Sequence, residues 1–453
     1  MNLPPAHRPY LFLKEKPKVL LVHPNFPYVG TDKFPLGLGY VASYVRKHTP
    51  HVEVFDEQQY QLGWKYLEKM RPDIVGITAT SPSFGRVRRF LISIGRLPPS
   101  TRPLVMMGGS HATFCPEEVL NAGVDLVLRG EVDLSLPQLF ETPVDDWRSI
   151  NGLSYRHEGE IVHTADASLL HPIDSAPFPA RELFDPQFYP VMSLTTSRGC
   201  PYACKYCAAT EFWGRKVRHH SVGYVERELE SIAGLGYERV CFEDATFSTN
   251  KKRAINISQL FTENSSLKGL VWSCETRPDK LDSSLLEAFE EARCALIMLG
   301  VESASEEVLK KNNRTVEVDV LRETMATLVR SNVPLQLLMV FGLPGETAES
   351  VRTTIDFLEE FRPDRILLSL ATAYPGTDLW DQPRRVTMPL EWIKRFTGHG
   401  VNSPLFLPEG MDPQQYRRLA DELLAICRQI NGENQKRFKE KQRLVQRRAV
   451  KDC

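Results

Sequence analysis

Short apolar runs alternate with amphipathic stretches through two long parts of the chain. In the first part the runs lie at 18–22, 52–55, 74–78, 104–108 and 126–128. Runs this short, rich in Val, Ile and Leu and separated by helix-length segments, predict buried parallel strands in βαβ units. The rhythm breaks over 146–190. Glu158-Gly159-Glu160 there marks a hairpin turn, and Pro172, Pro177, Pro179, Pro186 and Pro190 follow, which predicts an ordered linker. It resumes at 193–196, 239–242, 270–274, 296–299, 337–340 and 366–369. Between these runs apolar residues recur with a helical period, as at Val225, Leu229 and Ile232, or Val351, Ile355 and Leu358. Six βα repeats fall short of the eight that close a full barrel, so a partial (β/α)6 TIM-like barrel with one open side is expected.

After about Pro383 the rhythm stops. Glu391, Trp392, Ile393 and Phe396 are expected over the barrel mouth. An amphipathic helix is predicted from Tyr416 to about 430, with a basic, solvated end over 436–448. The expected organisation is an extension (1–16), a first α/β domain (17–145), a connector (146–190), the partial barrel (191–383) and a mostly helical C-terminal region (384–453).

Composition adds little to this picture: 453 residues, 42% hydrophobic, 25% charged and a formal net charge of -1, which supplies no global attraction to nucleic acid or to an anionic membrane. No apolar run reaches the ~18 residues of a membrane span. Nine cysteines, an odd number, do not suggest a disulfide framework, and the opening stretch has no apolar signal-peptide core. A reducing, cytoplasmic setting is expected. Cys241, Cys274 and Cys294 fall in or beside apolar strands and read as core; Cys115 and Cys453 suggest no role.

Three other cysteines change what the second part must be. Ser197-Arg198-Gly199-Cys200-Pro201-Tyr202-Ala203-Cys204-Lys205-Tyr206-Cys207 carries the spacing C-x3-C-x2-C in the loop after the first barrel strand. A [4Fe–4S] cluster is normally held by four cysteines; three leave one iron open to a ligand. Three thiolates also suit zinc with a distant fourth ligand. The setting, with Arg198-Gly199 ahead and Tyr206 inside, resembles the signature of radical S-adenosylmethionine (SAM) enzymes.

That resemblance implies that Cys200, Cys204 and Cys207 hold a [4Fe–4S] cluster, which cleaves SAM to methionine and a 5′-deoxyadenosyl radical. Tyr206 would lie near the adenine. Barrel enzymes carry their reactive groups at the carboxyl ends of strands. By resemblance, Glu243 and Asp244 match the contact to the SAM amino group. Arg277 is a candidate for the carboxylate, since arginine offers a fork of donors. Glu302 and Ser303 look like the ribose or carboxylate contact, and Gly342 and Pro344 line the adenine side. A rim salt bridge or a turn would account for any one of these singly.

The strand ends of the first domain carry His23-Pro24-Asn25, then Leu36-Gly37, Thr78 to Ser81, Gly108-Gly109-Ser110-His111-Ala112-Thr113 and Arg129-Gly130-Glu131. Ligands of such sheets bind beyond those ends. No G-x-G-x-x-G follows a strand, which argues against NAD. The PLGLGY stretch, the GGSHAT loop and the RGEVD turn resemble the cobalamin-binding domain that precedes the radical domain in B12-dependent radical SAM enzymes. The resemblance implies a Rossmann-like, flavodoxin-type fold with cobalamin contacts from Leu36, Gly37, Thr78, Ser81, Gly108, Gly109, His111, Gly130 and Glu131. The D-x-H-x-x-G motif whose histidine ligates cobalt is missing, so His111 is expected at the cofactor periphery. A scaffold that no longer binds B12 is the alternative.

Taken together, the resemblance implies an α/β, B12-dependent radical SAM enzyme. It would be a methyltransferase acting on an unactivated carbon of a small molecule or natural product through methylcobalamin. The alternatives are ring closure, rearrangement or oxidation without methyl transfer, and a non-catalytic cobalamin-binding protein. A flavodoxin or ferredoxin would supply electrons. No added RNA-binding domain follows the barrel, which argues against a tRNA methylthiotransferase.

Overall fold

The structure, a computed structural model, describes residues 16–24, 33–57, 64–380 and 406–451. The proposed mouth residues Glu391, Trp392, Ile393 and Phe396, and also Asn25 and Cys453, lie outside the described residues. The chain divides into two units, one ending at Tyr189 and one beginning at Pro190.

In the first unit, β1 (Val19–His23), β2 (Val52–Asp56), β3 (Ile74–Thr78), β4 (Leu104–Gly108) and β5 (Leu126–Leu128) form a parallel sheet in the order β2-β1-β3-β4-β5. This is the flavodoxin-type order, whose switch point lies between β1 and β3. Helices α1 (Leu36–Arg46), α2 (Trp64–Met70), α3 (Phe84–Ile94), α4 (Ser110–Phe114), α5 (Pro116–Asn121) and α6 (Ser135–Glu141) connect and follow the strands. β1, β3 and β4 are buried at all but their last residue, as strands covered on both faces must be.

The stretch set apart above as a linker is part of this unit. β6 (Leu153–His157) pairs antiparallel with β5, and β7 (Glu160–His163) pairs with β6, so the sheet has seven strands. The hairpin covers the edge that β5 would otherwise leave open. The proline-rich segment after it lies back on α1: Ser43 Oγ donates to Phe178 O at 2.6 Å, and Ala180 N to Gly39 O at 3.0 Å. Gly39 permits this approach, since a Cβ there would sit 2.7 Å from the Phe34 ring and 2.9 Å from Pro179.

In the second unit, β8 (Met192–Leu194) feeds the cysteine loop. The arms of that loop pair as β9 (Ser197–Arg198) and β10 (Arg218–His219) around α7 (Ala209–Trp213). The chain then alternates α8 (Val222–Gly234), β11 (Arg239–Phe242), α9 (Lys251–Glu263), β12 (Val271–Thr276), α10 (Ser283–Glu291) and β13 (Cys294–Glu302). After α11 (Glu306–Lys311) and α12 (Val318–Leu328) come β14 (Leu335–Phe341), α13 (Ala348–Phe361) and β15 (Arg365–Leu370). The six strands β8-β11-β12-β13-β14-β15 pair in parallel in chain order, the expected partial barrel. Trp272 packs among Phe242, Phe247, Phe261 and Phe289, and its indole N–H reaches Ala292 O at 2.7 Å. Burying a Phe contributes roughly 1.5–3 kcal/mol, so this cluster anchors the sheet. Cys241, Cys274 and Cys294 are buried beside it, as expected.

The C-terminal helix is longer than expected and is not a solvated tail. α14 (Pro413–Lys451) buries Tyr416, Ala420, Leu423, Cys427, Ile430, Phe438, Val445 and Ala449 through the basic stretch, three or four residues apart once the buried Asn434 and Lys441 fill the two wider gaps. It covers the edge strand β15: Asn431 Oδ1 accepts from Ile366 N at 2.7 Å, and Asn431 Nδ2 donates to Ile366 O at 2.9 Å. Two of the basic residues expected in water, Arg437 and Lys441, bond buried Asp364 at 2.7 and 2.8 Å. Their charges are drawn inward because Asp364 otherwise has only the Leu335 amide at 3.0 Å to offset its burial.

Candidate active site

The cysteine loop is held from below. Asp244, which follows β11, is 2% exposed. It accepts from Thr196 N at 3.0 Å, from Thr196 Oγ1 at 2.9 Å and from Ser197 Oγ. Arg253 of α9 donates to Thr196 Oγ1 at 2.8 Å, Thr196 O at 2.9 Å and His220 O at 2.8 Å. Burial raises the Asp244 carboxyl above its ordinary value, and Ser197, Thr196 and Arg253 pull it back. Gly199 then turns the chain at φ +108, where a Cβ would meet Lys216 O at 2.5 Å. Cys200 N donates to Gly214 O at 3.1 Å, and Cys207 N to Cys204 O at 3.1 Å.

All three cysteines are free thiols. The Cys207 thiol is pushed up to about 11, first by the protein atoms crowding it and then by Cys204 and Cys200, although the residue's outer face is exposed. Burial also raises Cys200. Cys200 and Cys207 therefore favour the neutral thiol, and a metal binding there would have to displace their protons.

A charged arch surrounds the loop. Arg314 Nη1 lies 3.9 Å from Cys204 Sγ, its Nη2 bonds Gly300 O, and Nη2 is 3.6 Å from Glu302 Oε1. Glu302 sits at a bulge in β13, with φ +70, which re-aims its side chain out of the strand. Burial raises its carboxyl, and Arg314 and then Arg277 draw it down. Arg277 lies over the Tyr202 ring at 3.6 Å, bonds Asp279 Oδ1 at 2.8 Å and donates to Thr315 O at 3.2 Å. Its Nη1 and the Nε of Arg314 are buried without a hydrogen-bond partner among the described residues. Two guanidinium donors left open beside three thiols suit a carboxylate, and Glu302 suits an ammonium or hydroxyl. This donor set fits a SAM-bound [4Fe–4S] cluster. Tyr206 packs on the apolar cluster of Val308, Leu343 and Phe406.

The residues expected at this site divide into two sets. Cys200, Cys204, Tyr206, Cys207, Arg277 and Glu302 converge, and Glu243 stands exposed at the end of β11 with its Oε1 accepting from Ser193 Oγ at 3.2 Å. Asp244 does not face the opening, because both its oxygens are engaged beneath the loop. Ser303 is buried and accepts from Ser305 N at 3.2 Å, which makes it a turn residue. Gly342 donates its N–H to Glu346 at 3.2 Å and lies under Tyr416, and Pro344 O accepts from Asn312 at 2.8 Å. Sequence reasoning missed Asn312, whose carbonyl accepts from Lys205 N at 3.2 Å, and Arg314. Both follow α11 in a helix-to-helix connection, where a search of strand ends does not look.

In the first unit the expected cofactor edge exists: Thr78 and Gly108 end β3 and β4, and Leu36, Gly37, Gly109 and Gly130 follow β1, β4 and β5. Gly109 has φ +94, and a Cβ there would meet Ala79 O at 2.6 Å. A glycine-lined edge lets a large flat ligand approach backbone, which fits cobalamin. Three expected contacts turn inward instead. Ser81 Oγ and His111 Nδ1 lie 3.0 Å apart, both buried, with the His111 ring on Phe84. Burial lowers His111 to about 4. Glu131 accepts from Leu170 N at 3.4 Å, tying the proline-rich segment to the sheet. Buried groups of this kind need partners and find them inside the protein. His23 ends β1, and its Nδ1 lies 3.3 Å from Asp56 Oδ1 at the end of β2.

Residues 194–358 match the model of the Radical SAM superfamily, and residues 24–140 that of the B12 binding domain. The chain is 31% identical over 407 residues to an uncharacterized methyltransferase of Pyrococcus horikoshii, covering 84% of this chain and 86% of that one. It is 27% identical over 421 residues to the anaerobic magnesium-protoporphyrin IX monomethyl ester cyclase of Cereibacter sphaeroides, covering 87% and 67%. The fold matches the radical S-adenosylmethionine methyltransferase TsrM from Kitasatospora setae, a structure with cobalamin and a [4Fe–4S] cluster bound. The TM-score is 0.71 at 20% identity, over 91% of this chain and 89% of that one. With a three-cysteine loop at the mouth of a partial barrel and a flavodoxin-type domain ahead of it, the chain belongs to the cobalamin-dependent radical SAM enzymes.

Proposed function

We propose that this enzyme transfers a methyl group from SAM, by way of cobalamin, to an unactivated carbon of a small molecule. The observation that carries the reading is the 31% identity to an uncharacterized methyltransferase across 84% of the chain. The cluster and cobalamin supply, respectively, the electron that cleaves SAM and the methyl group that is transferred. The chain's own residues bind and orient. Cys200, Cys204 and Cys207 would hold the [4Fe–4S] cluster. Arg277 Nη1 and Arg314 Nε receive the SAM carboxylate, Glu302 its amino group or ribose, and Tyr206 flanks the adenine with Gly342 and Pro344. Glu243 stands at the mouth as a second contact for the amino group. Asp244 and Arg253 keep the cysteine loop seated on β8. Leu36, Gly37, Thr78, Gly108, Gly109 and Gly130 receive the corrin edge, and Ser81, His111 and Glu131 support them from behind.

Residues 17–145 and 191–383 are the cobalamin and SAM segments of this reading. Residues 1–16 form an extension, 146–190 a connector that folds with the first unit, and 384–453 the C-terminal region. A cytoplasmic flavodoxin or ferredoxin is the electron source. No helix among the described residues is long and apolar enough to cross a membrane.

Ring closure without methyl transfer is the second reading, supported by the 27% identity to a cyclase over 421 residues. Methyl-deuterated SAM separates the two. The anaerobically reconstituted enzyme is supplied with a reductant and small-molecule extract, and products are read by mass. A product heavier by a deuterated methyl group is expected. SAM cleavage with an altered but unlabelled product would favour cyclisation and rule out methylation.

A further inference from the structure

Away from the cysteine loop, one other set of metal-binding side chains converges. His111 of α4, Cys115 between α4 and α5, and Glu118 of α5 fall at i, i+4 and i+7. One ligand atom from each lies within 4.8 Å of the other two. Among the described residues no other three His, Cys, Asp or Glu side chains meet this condition.

The local geometry points the same way. His111 Nε2 is 3.8 Å from Glu118 Oε2, while Nδ1 is engaged by Ser81 Oγ at 3.0 Å. A hydrogen bond at one ring nitrogen that orients the other is how metal-ligating histidines are held. Burial keeps His111 neutral, the form that coordinates a metal. Glu118 Oε1 is buried, and no hydrogen bond reaches it among the described residues. Burial raises the Glu118 carboxyl, and only partly does Arg88 offset this. A cation between these groups would supply the missing partner.

We propose that His111 Nε2, Cys115 Sγ and the Glu118 carboxylate bind a divalent ion of the zinc class, with water as the fourth ligand. One nitrogen, one sulfur and one oxygen suit zinc or a neighbouring first-row ion, whereas calcium and magnesium take oxygen alone. Bonds of about 2.0–2.3 Å place tetrahedral ligand atoms roughly 3.3–3.8 Å apart, so the side chains need to close by about 1 Å. Binding releases the Cys115 thiol proton to water. The ion ties α4 and α5 together and, through Ser81, fixes the turn after β3 at the cofactor edge. This site does not depend on what the enzyme transfers.

The test uses the full-length enzyme with its cluster and cobalamin reconstituted. It is mixed with one equivalent of zinc chloride, passed over a desalting column and analysed for zinc per chain and by zinc-edge X-ray absorption. About one zinc per chain is expected, with one sulfur near 2.3 Å and the other ligands at about 2.0–2.1 Å. Cys115→Ser should lose the sulfur shell, and both Cys115→Ser and Glu118→Gln should weaken zinc binding at least tenfold. Cys427→Ser should leave it unchanged. Wild-type enzyme that retains no zinc overturns the proposal, whether or not the variants fold. So does a shell of three sulfurs, which would put the ion in the cysteine loop.

Discussion

Asp244→Asn separates two roles for one carboxylate. As a SAM ligand it would leave the cluster intact and weaken SAM alone; as the seat of the cysteine loop it would affect the loop first. The structure favours the second role and sets a magnitude. Asp244 accepts three hydrogen bonds from Thr196 and Ser197 in a site closed to water. Asparagine keeps one oxygen. Placed on the Thr196 and Ser197 hydroxyls, that oxygen leaves the amide NH2 facing the Thr196 N–H, donor to donor. The swap removes one charge-assisted bond of about 1.5–3 kcal/mol and strands a buried donor at about 1–3 kcal/mol more. Arg253 keeps its carbonyl partners but loses the nearby charge. The sum is about 2.5–6 kcal/mol, a range that brackets the cost of breaking a buried ion pair. The assay is urea unfolding of the second unit, followed by tryptophan fluorescence, with iron per chain and SAM affinity measured on the same preparation. A lower midpoint and reduced iron retention are expected, with near-normal SAM affinity in the fraction that keeps its cluster. Unchanged stability and iron content with a large loss of SAM affinity would refute the reasoning and return Asp244 to the amino-group role.

Three further outcomes follow from the geometry. Arg314→Lys keeps the charge but loses the fork that spans Gly300 O, Glu302 and Cys204; SAM should bind about tenfold more weakly, or about 1.4 kcal/mol, by equilibrium dialysis, and an unchanged affinity would remove Arg314 from the site. Burial holds the Glu346 carboxyl up to about 7, above its ordinary 4.5. The folded chain therefore binds more protons than the unfolded chain between those values. The contribution is fully present below about pH 4.5 and is lost as pH rises through 7, at most about 3 kcal/mol over the window. Glu346→Gln should flatten this part of the unfolding profile, and an identical wild-type and variant pH dependence would contradict it. Asn431→Ala uncovers the N–H and C=O of Ile366 on the edge strand and should cost about 1–3 kcal/mol in urea unfolding; an unchanged midpoint would mean that water replaces the amide without loss.

Much of the architecture was legible in sequence because it rests on local rules. A buried parallel strand must be apolar on both faces, so the strands at 74–78, 104–108 and 126–128 could be read residue for residue. The spacing of Cys200, Cys204 and Cys207 put three thiols on one short loop, and the residues around them carried the resemblance to the radical SAM signature. Glycines at positive φ, such as Gly109 and Gly199, marked where backbone turns sharply or packs closely.

Only the tertiary structure decided which polar residues face the opening. Asp244, Ser81, His111, Glu131 and Ser303 carry suitable chemistry at suitable strand ends, yet each is turned inward by a partner. The partner of Asp244 is 48 residues away, and that of Glu131 is 39. Arg314 enters the site from a helix connection that no strand-end rule reaches. The hairpin β6–β7 and the long helix α14 both cover sheet edges, a requirement set by unpaired backbone groups. A sequence states that an edge must be covered without stating by what. Periodicity records which face of an element is apolar, whereas the partner of a buried polar group depends on contacts across the fold, and those exist only once the chain has closed on itself.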